Sequence, residues 1–220
     1  MFDREDPSER QLHFLPTIAF NKDSHLHKNT VKTLHPESDG RIEAIVKRLQ
    51  EEGLYEKCQV AENFLFCDDG ELSVTHTSEY VSELTRIERM DQKEINEWAS
   101  KFDSVFATPY SYNAALSAVT CTRSLAEWIV RGKIPCGFSI VRPPGHHADS
   151  HSACGFCLLN NVAQGVDAAR VVGAQRILIV DLDVHHGQGT QRIFYNDDKV
   201  LYFSIHRHEY GAFWPNLEES

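Results

Sequence analysis

RILIVDLDVHHGQGTQ, residues 176–191, carries an apolar, β-branched run straight into carboxylates, imidazoles and glycines. The run RILIVD (176–181) reads as a strand buried in a parallel sheet, where side chains on both faces are apolar. Two further runs have the same character, GFSIVR (137–142) and KVLYFSI (199–205). A helical stretch near 158–172 separates the first two, and this alternation predicts βαβ units in an α/β fold. Ligands of such sheets sit at the carboxyl ends of the strands, so the residues just after each run are the first suspects for chemistry.

Those ends read RPPGHHA (142–148), DLDVHHG (181–187) and SIHRHE (204–209), and seven of the twelve histidines lie beyond residue 145. Asp181, Asp183 and His185 are spaced by two, so a continuing strand would project them to one side. Carboxylate oxygen and imidazole nitrogen without thiolate suit a catalytic zinc or similar divalent ion with an open position. Read alone, the same string is also the polar end of an ordinary strand. His146 and His147 follow Pro143-Pro144-Gly145, which cannot extend a strand and holds the next segment in a turn. One of the pair can act as a general base beside a metal-bound water while the other is oriented by a carboxylate such as Asp181. The plain alternative is two solvated loop histidines. Cys154-Gly155-Phe156-Cys157 forms a C-x-x-C without a partner motif, read as two buried thiols flanking an aromatic rather than as a redox dithiol.

Outward from this region, LPTIAF (15–20) predicts a short buried strand after a polar leader, 1–14. RIEAIVKRLQEEG (41–53) predicts an amphipathic helix with Ile42, Ile45, Val46 and Leu49 on one face and Gly53 as its stop. Further helices are expected at 78–89, opened by Ser78, and at 112–131, ended by Gly132. The 22 Lys and Arg against 32 Asp and Glu give a charge of −10, which repels nucleic-acid phosphate and accommodates a basic polypeptide. No apolar run reaches the ~18 residues of a membrane span, and the charged N-terminus lacks a signal-peptide core. With six dispersed cysteines expected to be reduced, the protein is expected in cytosol or nucleus, with no membrane or direct nucleic-acid partner.

The series RPPGHHA, GFC, NNVA, RILIVDLDVHHGQGTQ and VLYFSIHR, with a following FWP, resembles the histone deacetylases. HPE (35–37) with Arg41 and Ile42, and SEYV (78–81), extend the likeness over most of residues 16–218. HGQGTQ and HRHEYGAFWPNL are most like the class IIb members, the tubulin-type and polyamine-type deacetylases. The resemblance implies a three-layer α/β/α fold of the arginase/deacetylase type. It makes Asp183 and His185 zinc ligands, His147 the general base, and His146 its partner supported by Asp181. Gly155, Phe156 and Trp214 would line the tunnel for the acetyl-lysine chain. A structural monovalent cation, K+, would sit at Asp181, Asp183, His185, Ser204 and the backbone of Ile205. The family's second zinc-binding Asp, its oxyanion-stabilising Tyr and a glycine-rich loop are expected C-terminal to Ser220. Residues 15–220 are therefore expected to be the N-terminal part of a catalytic domain, truncated and impaired in activity. The expected activity is zinc-dependent hydrolysis of acetyl-lysine in histones, tubulin or other proteins. The alternatives are an acetylpolyamine substrate, or a non-catalytic short isoform that binds partners such as corepressors or chaperones. Departures from the family pattern are Cys154, Leu158-Leu159 where an aromatic is common, and His208 in place of Tyr.

Overall fold

A computed structural model describes residues 15–29, 35–62 and 64–217, so the leader expected at 1–14 lies outside the described residues. Strands β1 (Thr17–Phe20), β2 (Gln59–Val60) and β3 (Gly137–Ile140) form a parallel sheet in the order β2-β1-β3. Strands β4 (Ile177–Asp181) and β5 (Val200–Ser204) form a second parallel pair, with Asp181 opposite Ser204. The parallel pairing expected from the alternation is present in both ladders; among the described residues no ladder joins β3 to β4. Helices connect them instead. α5 (Ser111–Val130) lies on β1 and β3, and α6 (Asn161–Val171) packs along α5 while covering the second pair.

The helices start and stop where their backbones find partners. α1 (Arg41–Glu51) turns Ile42 inward and is followed by Gly53 at φ +61, a conformation glycine adopts without strain. α2 (Asp69–Leu72) and α4 (Gln92–Ala99) open with capping boxes, Asp68 with Glu71 and Asp91 with Glu94. α3 (Ser78–Arg86) is capped by Thr77, whose hydroxyl accepts the Tyr80 N–H, and not by Ser78. Ser78 falls one residue too late, since the cap needs extended backbone and Thr77 has it at φ −66, ψ 147. α7 (Gln188–Phe194), absent from the expectation, follows the DLDVHHG segment directly. α5 ends before Gly132, which sits at φ +70 as expected.

The main core gathers Leu72, Leu84, Ile87, Ile95 and Trp98 under α5 with Leu158 and Leu159. A smaller one packs Ala163 and Val166 of α6 and Phe194 of α7 against Ile179 and Val200. Period two along β4 and β5 sends Ile177, Ile179, Val200 and Tyr202 to that helix-covered face. The opposite face presents Leu178, Val180, Leu201 and Phe203, each at least half exposed, so a covering third layer is not found among the described residues.

Between β3 and the histidine loop lies Arg142, with 0% exposure. Its guanidinium donates from Nε to Glu37 Oε1 at 2.6 Å, from Nη1 to the Ser24 carbonyl at 2.6 Å and from Nη2 to the His27 carbonyl at 2.9 Å. A second Nη2 contact reaches Glu37 Oε2. Glu37→Ala should leave this guanidinium buried without its counter-ion and cost ~3–5 kcal/mol, read as a lowered urea midpoint.

Two buried histidines set an acid limit. His76 is held neutral, its pKa lowered to about 4 by burial, with Nδ1 donating to the Asp149 carbonyl and Nε2 accepting the Asn160 N–H. Burial and the Arg142 charge lower His27 to about 3. Both stand at 6.5 when unfolded, so the unfolded chain binds more protons below that value. Their contribution is therefore present above pH 6.5 and falls as pH drops towards 4 and then 3. Urea midpoints measured across this range should decline with pH, and a flat profile would contradict the neutral assignments.

Candidate functional site

The site lies where the ends of β3 and β4 approach each other. After β3, Pro143 and Pro144 deny the chain ladder hydrogen bonds, and Gly145 passes so close to the Asn161 N–H that a Cβ would clash. This loop delivers His146 and His147. β4 ends at Asp181, and the strand does not continue to His185 as the even spacing suggested. The carboxylates accept backbone N–H groups two residues ahead: Asp181 Oδ1 that of Asp183 at 3.1 Å, and Asp183 Oδ1 that of His185 at 2.8 Å. Two successive Asx turns therefore compete with the ladder and win. Asp183 and His185 still converge, through turns rather than through strand pleat.

Asp181 is the hub of the buried side. Its Oδ2 lies 2.8 Å from His146 Nδ1 and accepts the Tyr202 hydroxyl at 2.9 Å. Burial pushes its pKa up, but the hydrogen bond and charge of His146 outweigh this and hold it below the usual carboxylate range. Its carbonyl accepts the Ile205 N–H at 3.1 Å, and Ser204, its register partner, turns its hydroxyl to His206 Nδ1 at 2.8 Å. Asp181, Ser204 and Ile205 are thus adjacent, while Asp183 and His185 lie on the following turn.

His147 is buried, and its Nδ1 stands 2.8 Å from Gln188 Oε1, the first residue of α7. Its ring packs 3.8 Å from that of His146 and edge-on to Trp214 at 4.6 Å. Burial and then the charge of His146 lower its pKa to about 4, against the opposing hydrogen bond from Gln188. It is therefore neutral at pH 7, with a nitrogen able to accept a proton.

Asp183 Oδ1 and His185 Nδ1 lie 3.0 Å apart, and His146 Nε2 is 4.0 Å from the same oxygen. Zinc bonds of about 2.1 Å in a tetrahedron would separate neighbouring donors by roughly 3.4 Å, so this oxygen–nitrogen pair fits two corners of a zinc shell. No group of three His, Cys, Asp or Glu able to hold an ion occurs among the described residues. A catalytic zinc takes three protein donors, of which such a pair would supply two.

Aromatic rings pack beside this pair: His185 stacks on Phe213 at 5.3 Å and meets Trp214 edge-on at 5.5 Å. Trp214 Nε1 donates to Asp103 Oδ2 at 2.7 Å. Cys154 and Cys157 exchange both backbone hydrogen bonds across Gly155 and Phe156, which have φ of +51 and +72. This tight hairpin turn puts Gly155 where a Cβ would strike both Trp214 and His147. Phe156 is pinned by its N–H to the Ser104 carbonyl at 2.9 Å and meets the His35 ring edge-on at 4.8 Å. Gly155 and Trp214 border the histidine side directly, and Phe156 stands beyond them.

Gln188, Tyr202 and Asp103 went unread in the sequence. Gln188 had a signal, three residues after His185 at a helix start; Tyr202 shares strand parity with Ser204. Asp103 had none, because its partners are the Trp214 indole and the Gly155 N–H, 111 residues away for the former.

The sequence profile of the histone deacetylase domain matches residues 35–220. Histone deacetylase 6 of Caenorhabditis elegans is 54% identical over 203 residues, 92% of this chain and 21% of that protein. Polyamine deacetylase HDAC10 of Rattus norvegicus is 40% identical over 181 residues, 82% of this chain and 31% of that protein. The chain thus spans about a fifth to a third of the length of these curated relatives. Among solved structures, the crystal structure of the HDA15 HD domain superposes with a TM-score of 0.82 at 36% identity, covering 92% of this chain and 56% of that one.

Gly155→Ala should combine positive-φ strain of ~1–3 kcal/mol with displacement of His147 or Trp214. A lowered urea midpoint together with altered tryptophan fluorescence is the expected result. Unchanged values would mean the turn has slack that the packing denies.

Proposed function

Because the chain belongs to the histone deacetylase family, we propose that its site serves zinc-dependent hydrolysis of the amide of an acetylated lysine side chain. The carrying observation is the convergence of a neutral, buried His147 on the Asp183–His185 donor pair. Zinc bound there would polarise the amide carbonyl and acidify a water. His147 takes the proton from the attacking water at Nε2, since its Nδ1–H is committed to Gln188. His146 is oriented by Asp181, 2.8 Å from its Nδ1, beside the ring of His147. Trp214, Gly155 and Phe156 would supply the apolar lining for the aliphatic part of the acetyl-lysine side chain. A potassium ion is assigned to Asp181, Asp183, His185, Ser204 and the backbone of Ile205, where it would brace the turn that carries the zinc donors.

Acetylated protein is the substrate favoured by the acidic balance of the chain, in the cytoplasm or nucleus where acetylated tubulin and histones occur. The likeness to a polyamine deacetylase supports a second reading, an acetylated polyamine, which is also cationic. Acetate release from an acetyl-lysine peptide and from an acetylated polyamine separates the two. It is measured on residues 1–220 and on the longest reading frame containing them, and release from neither would refute the hydrolase reading.

In whichever form is active, His147→Ala should lower kcat by about 10²-fold or more, with substrate binding less affected. Asp183→Ala and His185→Ala should each remove zinc along with activity, checked by metal content after gel filtration. Residues 1–220 alone, supplying two donors, are expected to retain less than one zinc per chain.

A further inference from the structure

We propose that Cys154 is a positioning residue for His147: its sulfur holds the Gln188 amide in the orientation that leaves His147 Nε2 without hydrogen. The inference rests on the proposed reading of His147 as the base. Gln188 is 4% exposed, so its amide is satisfied by protein groups. Oε1 faces His147 Nδ1 at 2.8 Å, and Nε2 donates to Cys154 Sγ at 3.4 Å.

An amide in this position has two self-consistent settings. In the first, its NH2 donates to sulfur and its oxygen accepts from Nδ1–H, so that Nε2 of His147 is bare. In the second the amide is turned over: NH2 donates to a bare Nδ1, the thiol donates to the amide oxygen, and Nε2 carries the hydrogen and cannot act as a base. The thiol decides between them, because it can be donor or acceptor. Burial and then the negative charge of Asp103 keep Cys154 protonated, with Asp149 adding to the effect. The geometry has the first setting: Gln188 Nε2 is the donor and the Cys154 sulfur the acceptor, at 3.4 Å.

The backbone leaves little room for another arrangement. Gly189 runs so close to the Ala148 carbonyl and the His147 backbone that a Cβ would clash, which fixes where Gln188 starts α7. The hairpin fixes Cys154 through its exchanged hydrogen bonds with Cys157, 3.2 and 2.9 Å. Cys157 in turn donates from its sulfur to the Gly155 carbonyl at 3.3 Å, bracing the same hairpin. One sulfur braces the hairpin, and the other, through Gln188, sets the ring of His147.

The test is long-range 1H–15N NMR of protein labelled with 15N-histidine, at a pH where the imidazole is neutral, with His147 assigned by the signal lost in His147→Asn. The wild type should show hydrogen on Nδ1 and a bare Nε2. Cys154→Val should populate the other tautomer and lower kcat by about tenfold, the worth of one hydrogen bond, with KM within about twofold. Cys154→Ala repeats the measurement without added bulk should valine disturb the fold. Cys154→Ser, whose hydroxyl also accepts, should restore the first tautomer. In Gln188→Glu, whose carboxylate only accepts, Cys154→Val should leave the tautomer unchanged. An unaltered His147 tautomer and kcat in both Cys154→Val and Cys154→Ala would overturn the role of Cys154 while leaving the hydrolase reading intact. A tautomer that follows Cys154 in a protein releasing no acetate would sustain that role and refute the hydrolase reading.

Discussion

The guanidinium of Arg142 has no access to water, and everything after it in the chain depends on where it is held. A charge at 0% exposure is tolerated only when it is paired and hydrogen-bonded, and Glu37 with the Ser24 and His27 carbonyls engages all three of its nitrogens. Asn21 adds its side chain on the backbone of Arg142, accepting the N–H at 3.1 Å. The segment after β1 and the segment before α1 are thereby drawn onto the end of β3. From that anchor Pro143, Pro144 and Gly145 carry the backbone to His146 and His147. The position of two catalytic candidates is thus inherited from an ion pair that touches neither of them.

On the other side of the site, carboxylates replace strand geometry. Asp181 and Asp183 each accept the N–H two residues ahead, which ends β4 and folds the segment to His185 back on itself. Each then has oxygen acceptor capacity for an imidazole, His146 for Asp181 and His185 for Asp183. The same residue type therefore performs two tasks, shaping the turn and polarising a ring. Replacing either with asparagine would preserve much of the turn and remove the charge, so the tasks are separable in principle.

Much of this was legible in the sequence because apolar runs and turn residues report local physics. β1, β3, β4 and β5 fall within the runs read as strands, and Gly53 and Gly132 stand just past their helices at positive φ. The clustering of Asp181, Asp183, His185, His146 and His147 followed from strand ends alone. Long-range partners were not legible. Nothing adjacent to Glu37 signals Arg142, 105 positions on, and nothing near Asp103 signals Trp214. The split into two sheets was also hidden, because hydrophobic periodicity marks strands but does not say which neighbour each one takes. The even spacing of Asp181, Asp183 and His185 suggested a continuing strand, but short polar side chains outcompete a ladder for their own backbone and form turns there instead.

The β4–α7–β5 unit closes all of its pairing within one stretch, 177–204, whereas the Arg142–Glu37 contact joins positions 105 apart. Chains form nearby contacts sooner than distant ones, because loop closure costs more entropy as separation grows. The arm bearing Asp181, Asp183 and His185 is therefore built to assemble early and the histidine loop late. The two halves of the candidate site are therefore brought together only when that distant ion pair locks.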